Sequence, residues 1–185
     1  RITGIDDDVT YASEPAVSIN AGNPSYYKFF NGAITNDFST AFPNASNIFS
    51  TVSDNGTAVG GGSSNAGGEQ RLGLNGAYEL KNDFSSGNRF QLFDRRLRVG
   101  HGGWAASGAF PGDIMEVIWY KRALTPNEQS RVNTYLALKN GVTLAEDYLT
   151  SSNNVIWNRT ANAGYNSNVF GLARDNTSIL HQKQA

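Results

Sequence analysis

The chain has 185 residues, with 15 Lys and Arg against 16 Asp and Glu, a net charge of -1. That balance argues against nucleic acid or an anionic membrane surface as the main partner. The lack of cysteine removes disulfides, thiol nucleophiles and thiolate metal sites, and two histidines cannot build a three-histidine zinc site. Gly, Asn, Ser and Thr together supply 70 residues beside 11% aromatics, which reads as a β protein with turn-rich loops and a real core. There is no run of 18 apolar residues and no signal peptide, so nothing in this segment is expected to span or target a bilayer.

Residues 1–24 mix short apolar pieces such as Ile5 and Ala16-Val17-Ser18-Ile19 with the acidic triplet Asp6-Asp7-Asp8. Tyr26-Tyr27-Lys28-Phe29-Phe30 reads as a strand that ends at the turn dipeptide Asn31-Gly32. Asn47-Ile48-Phe49-Ser50-Thr51-Val52 alternates apolar and polar positions before Asp54-Asn55-Gly56. The stretch 60–68 is too rich in glycine to be a regular element. Arg71-Leu72-Gly73-Leu74, Tyr78-Glu79-Leu80, Phe90-Gln91-Leu92-Phe93 and Arg96-Leu97-Arg98-Val99 then follow at short spacing, as in a sandwich or barrel.

Ile114-Met115-Glu116-Val117-Ile118-Trp119-Tyr120 is the most hydrophobic run, and its two apolar faces predict a central strand covered on both sides. Thr125-Pro126-Asn127-Glu128 then opens a helix. Thr stands at the N-cap, Pro at the first helical position and Glu three residues after the cap, the pattern of a capping box. Val132, Leu136 and Lys139 share one stripe of it, with Val132 and Leu136 expected to pack, and Asn140-Gly141 stops it. Beyond Leu144, Asn154-Val155-Ile156-Trp157 and Asn168-Val169-Phe170-Gly171-Leu172-Ala173 read as strands around the polar turn 161–165. No repeat is visible and the composition is even, so the chain reads as a single domain, 1–185.

Nucleophilic catalysis finds little support: no Gly-x-Ser-x-Gly elbow is present. His101 sits in Gly100-His101-Gly102-Gly103, a loop that can expose the ring. Paired carboxylates for glycoside hydrolysis have Glu79, Glu116 and Glu146 as candidates, without an acid-rich strand pattern behind them. The stretch 60–68 lacks the Lys and the helix of a phosphate cradle; it reads either as a hairpin loop or as a rim that brings Ser63, Ser64 and Asn65 to a ligand. Oxygen ligands for calcium are plentiful in the acidic turns, though Asp and Asn also form turns without any ion. Trp104, among Gly and Ala neighbours, can stack on a ligand or plug the end of a fold. Four Asn-x-Ser/Thr sequons, at Asn44, Asn55, Asn158 and Asn176, are expected by chance in such a composition.

Gly112-Asp113-Ile114-Met115-Glu116-Val117-Ile118-Trp119-Tyr120, Arg122-Ala123-Leu124-Thr125 and Val132-Asn133-Thr134-Tyr135-Leu136-Ala137-Leu138-Lys139-Asn140-Gly141 resemble the strand–helix core of laminin-G/concanavalin-like modules of bacterial surface proteins. Asp147-Tyr148, Val155-Ile156-Trp157-Asn158 and Gly171-Leu172-Ala173-Arg174-Asp175-Asn176 are similar to the tail of those modules, and Gly61-Gly62-Ser63-Ser64-Asn65 to an upstream part. Asn158 stands where the pattern has an Asp. Such modules occur in very large extracellular adhesins, including RTX adhesins, in which one module of this size binds peptides with calcium.

The resemblance implies an all-β fold: a two-sheet antiparallel sandwich, a lectin-like jelly roll, with one short helix near residues 126–139. It implies a calcium-dependent, non-catalytic module of a bacterial surface adhesin, extracellular, that binds short peptide segments on another cell and adjoins further modules. A glycan-binding lectin module is the alternative, followed by a glycoside hydrolase or lyase and a structural spacer. Loops 60–68 and 100–108 are the expected ligand rim, through Gly61, Gly62, Ser63, Ser64, Asn65, His101 and Trp104. Asp6, Asp7, Asp8, Asp113 and Asp175 are the expected suppliers for Ca2+.

Overall fold

The computed structural model describes residues 3–6, 16–19, 27–31, 34–37, 45–54, 57–58, 65–66, 69–81, 96–100, 112–166, 169, 174–177 and 180–181. In chain order the strands begin with β1 (Thr3–Asp6), β2 (Ala16–Ile19), β3 (Tyr27–Asn31) and β4 (Ile34–Asp37). They continue with β5 (Phe49–Asp54), β6 (Thr57–Ala58), β7 (Asn65–Ala66), β8 (Glu69–Leu74), β9 (Ala77–Lys81) and β10 (Arg96–Val99). The helix α1 (Pro126–Asn140) precedes β11 (Tyr148–Leu149), β12 (Val155–Trp157), a 3-10 turn at Ala163–Tyr165, β13 (Arg174–Asp175) and β14 (Leu180–His181).

The chain folds as two compact units, one made of Arg1–Phe42, Thr51–Leu72 and Leu80–Lys121, the other of Pro43–Ser50, Gly73–Glu79 and Arg122–Ala185. The first unit holds a five-stranded sheet in the order β10-β1-β2-β3-β4. Its pairings are antiparallel, with Thr3 opposite Val99, Val17 opposite Phe29 and Phe29 opposite Asn36. In the second unit β11 pairs with β12 and β13 with β14, both antiparallel.

The two-sheet sandwich, or jelly roll, implied by the resemblance is not what the described residues form. Their strands divide into five separate sheets of five, three, two, two and two strands, beside a 15-residue helix. The described strands are only two to six residues long, and most pair with a near neighbour in sequence instead of extending across a broad sheet face. The expected central strand is missing too: residues 114–120 join no described ladder, and Met115, Trp119 and Tyr120 are exposed.

The helix begins where its local signals place it. Glu128 N donates to Thr125 Oγ1 at 3.4 Å, and Glu128 Oε2 accepts from Thr125 N at 2.9 Å, closing the capping box. It ends at Gly141, whose φ of 66° is left-handed, as Val142 N turns back to Ala137 O at 3.0 Å. Leu136 of the expected stripe packs against the core, but the most buried positions lie beside that stripe. Val132 and Leu136 are half-buried, whereas Gln129, Asn133, Thr134 and Ala137 are the buried positions. The reason lies in what the helix meets, because Thr134 Oγ1 accepts from Leu149 N at 2.9 Å and Asn133 meets Glu146.

Toward its C-terminal end the helix meets the apolar core of this unit, formed by Ile48, Ala137, Val142, Leu144 and Tyr148, with Leu136, Leu138, Trp157 and Val169 packed against it. Full burial of Leu144 contributes about 2 kcal/mol. Tyr148 is buried in this core, yet its hydroxyl accepts from Leu144 N at 2.9 Å and so remains satisfied.

Candidate functional site

The hairpin β8–β9 turns through Asn75 and Gly76, whose φ values of 51° and 81° are both left-handed, as a two-residue type I′ turn requires. Asn75 also works outward. Its N donates to Ile48 O at 2.9 Å, its Oδ1 accepts from Ile48 N at 2.8 Å, and its carbonyl accepts from Ala145 N at 2.7 Å. These bonds bring residue 145 to the turn and leave the next residue, Glu146, against Gly76. A Cβ at Gly76 would stand 2.7 Å from Glu146 Cγ and Oε1, so only glycine leaves room for the carboxylate.

Four polar side chains meet there. Glu146 Oε2 accepts from Ser130 Oγ at 2.5 Å, and Oε1 accepts from Asn133 Nδ2 at 2.7 Å. The second proton of the same amide goes to the Tyr78 hydroxyl. Burial pushes the Glu146 carboxyl above its ordinary value; the two hydrogen bonds oppose the rise and the neighbouring Asp147 charge adds to it. Ser130 has one hydroxyl proton but two acceptors within reach, Glu146 and Pro126 O at 3.1 Å. Ionised Glu146 takes that proton's hydrogen bond. Protonated Glu146 donates to Ser130 instead, and the hydroxyl turns to Pro126. The cluster can therefore hold or release one proton without losing its contacts.

Gln129 lies one turn before Asn133 on the same helix face. It is 3% exposed, and neither amide atom has a partner, which is costly for a buried group.

The carboxylates of Glu128, Asp147 and Asp175, in the same unit, hold loops. Glu128 takes both Arg122 Nη atoms, at 2.8 and 2.6 Å, besides closing the cap, and the guanidinium holds its carboxyl well below the usual carboxylate range. Asp147 accepts from Arg159 N at 2.6 Å and from Asn158 Nδ2 at 3.1 Å. Asn158, at the position where an Asp was expected, thus supplies a donor where a second carboxylate would repel. Asp175 accepts from Ser151 N and Oγ, both at 2.8 Å, and from Thr177 N at 3.0 Å, while Arg131 Nη1 donates to Ser151 O at 2.7 Å.

Residues 128–185 match the family described as Domain of unknown function (DUF8202). No curated protein and no solved structure matches the chain. The matched stretch contains Ser130, Asn133 and Glu146 as well as the loop-holding Asp147 and Asp175, but begins after Tyr78 and the Asn75-Gly76 turn.

Of the residues expected to bind ligand, Asn65 lies in β7 opposite Ala58. Gly61, Gly62, Ser63, Ser64, His101 and Trp104 fall outside the described residues, as do Asp7 and Asp8. Asp6 ends β1 opposite Arg96, and Asp113 is exposed before the apolar run. Asp6, Asn65 and Asp113 belong to the first unit and Asp175 to the second. Among the described residues no group of three His, Cys, Asp or Glu side chains gathers as metal ligands would. Sequence reading named Glu146 only as one of three candidate acids and passed over Asn133, Ser130 and Tyr78. The usable signals were the Asn75-Gly76 dipeptide and the polar i, i+4 pair Gln129 and Asn133 in a helix that must bury one side.

Proposed function

We propose that the chain is a non-catalytic ligand-binding module of a large bacterial surface adhesin, holding a short peptide segment of another cell with the help of calcium. One observation supports this reading most directly. The carboxylates of Glu128, Glu146, Asp147 and Asp175 each accept hydrogen bonds that fasten a loop or helix end. Such fastening suits a scaffold that presents loops to a ligand, since recognition needs groups held in place by rigid elements. Glu146 has the raised affinity for protons of a catalytic acid, but its hydrogen-bond partners are Ser130 and Asn133, and Asp147 turns its own carboxylate to Asn158 and Arg159.

In this proposal loops 60–68 and 100–108 carry recognition, through Ser63, Ser64, Asn65, His101 and Trp104, with calcium held by acidic turns. Calcium with an open coordination position would accept a peptide's C-terminal carboxylate directly. Peptide and glycan arrays probed with calcium, and again with a chelator, test the reading. Peptide binding that is lost on chelation is expected. Glycan binding alone would make the module a lectin, and turnover of a polysaccharide panel would make it an enzyme.

A further inference from the structure

The core of the second unit is assembled from separate stretches of chain. Of the five described residues buried in it, Ala137, Val142, Leu144 and Tyr148 lie within residues 128–185, and Ile48 comes from the stretch Pro43–Ser50. The polar contacts divide in the same way. Ala145 N donates to Asn75 O at 2.7 Å, and Asn133 gives one amide proton to the Tyr78 hydroxyl. Gly76 leaves the space that the Glu146 side chain fills. The upstream pieces also hold each other. Ile48 N donates to Asn75 Oδ1 at 2.8 Å, Asn75 N to Ile48 O at 2.9 Å and Asn75 Nδ2 to Asn47 Oδ1 at 2.8 Å. Residues 47–48 and 75–78 therefore meet residues 133–148 as one tied body.

We propose that residues 128–185 present a docking site for a β-hairpin, that segment 43–79 is its occupant, and that the family-matched stretch needs this occupant to keep its native packing. Complementarity selects the occupant. The site offers two donors, Ala145 N and one amide proton of Asn133, and the segment answers with two acceptors, Asn75 O and the Tyr78 hydroxyl. The site has an apolar gap beside Ala137, Val142, Leu144 and Tyr148, which Ile48 fills until it is 6% exposed. The Glu146 side chain is admitted only by a turn without a Cβ, and the left-handed Asn75-Gly76 turn supplies that bare position together with the Asn75 carbonyl. Removing the segment would open a cavity in the core and strip two donors of their partners, both of which destabilise. The family match starts at residue 128, so it takes in the site and omits the occupant. The inference stands apart from the adhesin reading, because none of these contacts involves an expected ligand-binding residue.

The test starts from the folded full chain. A protease recognition sequence inserted after Gly112, which is exposed and outside every described helix and strand, allows it to be cut in place. The cut chain should keep slow amide exchange in α1, because the occupant is held without a covalent link. Once the pieces are separated in urea and the denaturant is removed, residues 113–185 alone should lose that protection. A synthetic peptide of residues 43–79 should restore it. Peptides carrying Ile48→Ala or Gly76→Ala should bind roughly tenfold more weakly, one by losing core packing and the other by meeting Glu146. Glu146→Ala in the receiving piece should recover most of the Gly76→Ala loss and none of the Ile48→Ala loss. Residues 113–185 that protect α1 without the peptide overturn the proposal. So does a native peptide that fails to restore protection, or two variant peptides that restore it as well as the native one.

Discussion

Asn133 and Glu146 meet at 2.7 Å on the buried side of α1, and the remaining proton of the same Asn133 amide is given to Tyr78. One side chain, 1% exposed, thereby joins the helix, the β8–β9 hairpin and the loop before β11. Asn133→Asp keeps the shape and replaces the donor by a second carboxylate facing Glu146. We expect a loss of about 2–3 kcal/mol in urea unfolding near neutral pH. Adding Glu146→Gln should recover part of it, because the new amide can donate to Asp at position 133.

The Glu146 carboxyl has an ordinary value of 4.5, which burial raises in the folded state. Between 4.5 and that raised value the native protein binds a proton the unfolded chain does not, so this group makes stability fall as pH rises through the window. Glu128 works in the opposite sense. Arg122 depresses its folded value, so its contribution is present above 4.5 and is lost as pH falls toward the depressed value. Urea midpoints measured across pH should show Glu146→Gln flattening the descent above 4.5 and Glu128→Gln flattening the acid limb. Identical profiles for native protein and Glu146→Gln would contradict the burial of the carboxylate.

Gly76 and Gly141 separate steric from conformational cost. Both have positive φ, 81° and 66°, but a Cβ on Gly141 has nothing within 4 Å while one on Gly76 meets Glu146. Gly141→Ala should cost about 1 kcal/mol for the left-handed backbone alone. Gly76→Ala should cost about 1–3 kcal/mol more, because the carboxylate must leave Asn133 or the turn must shift. Adding Glu146→Ala should remove most of that extra cost.

Gln129 offers a gain. Its buried amide makes no hydrogen bond, so Gln129→Met gives up no polar contact and removes a desolvation penalty. A rise of about 1 kcal/mol in unfolding free energy is the expected result. A fall of similar size would mean that the amide has a partner in solution.

Asp175 should control the Ser151 and Thr177 loops more than the body of the helix. Asp175→Ala removes the acceptor for Ser151 N and Thr177 N. Amide exchange at those two positions should quicken roughly tenfold while amides of α1 keep their protection. Equal acceleration throughout the unit would show that the aspartate supports the whole core.

The turn Asn75-Gly76 shows how much of the site could be read directly. Its dipeptide predicts a hairpin with two left-handed residues, yet nothing nearby in sequence says that Asn75 will hold Ile48 and Ala145. Asn133 and Tyr78 are 55 positions apart, and their meeting depends on how the hairpin and helix pack. Residues 114–120 failed in the other direction. Their apolar pattern describes a strand, but a strand also needs a partner edge, and no pattern within seven residues specifies one.

What the sequence determined by itself is local: the start of α1 at the Thr125–Glu128 capping box, its stop at Gly141, and a composition without cysteine chemistry. These features act within three or four residues, so the side chains that decide them are always neighbours. Tertiary structure alone decided which side of α1 is buried, which strands pair, and that Glu146 rests against Gly76 with a raised hold on its proton. Burial and pairing are properties of distant segments brought together: Leu136 of the apolar stripe does pack against the core, but the most deeply buried helix positions include Asn133 and Thr134, because polar partners meet them there.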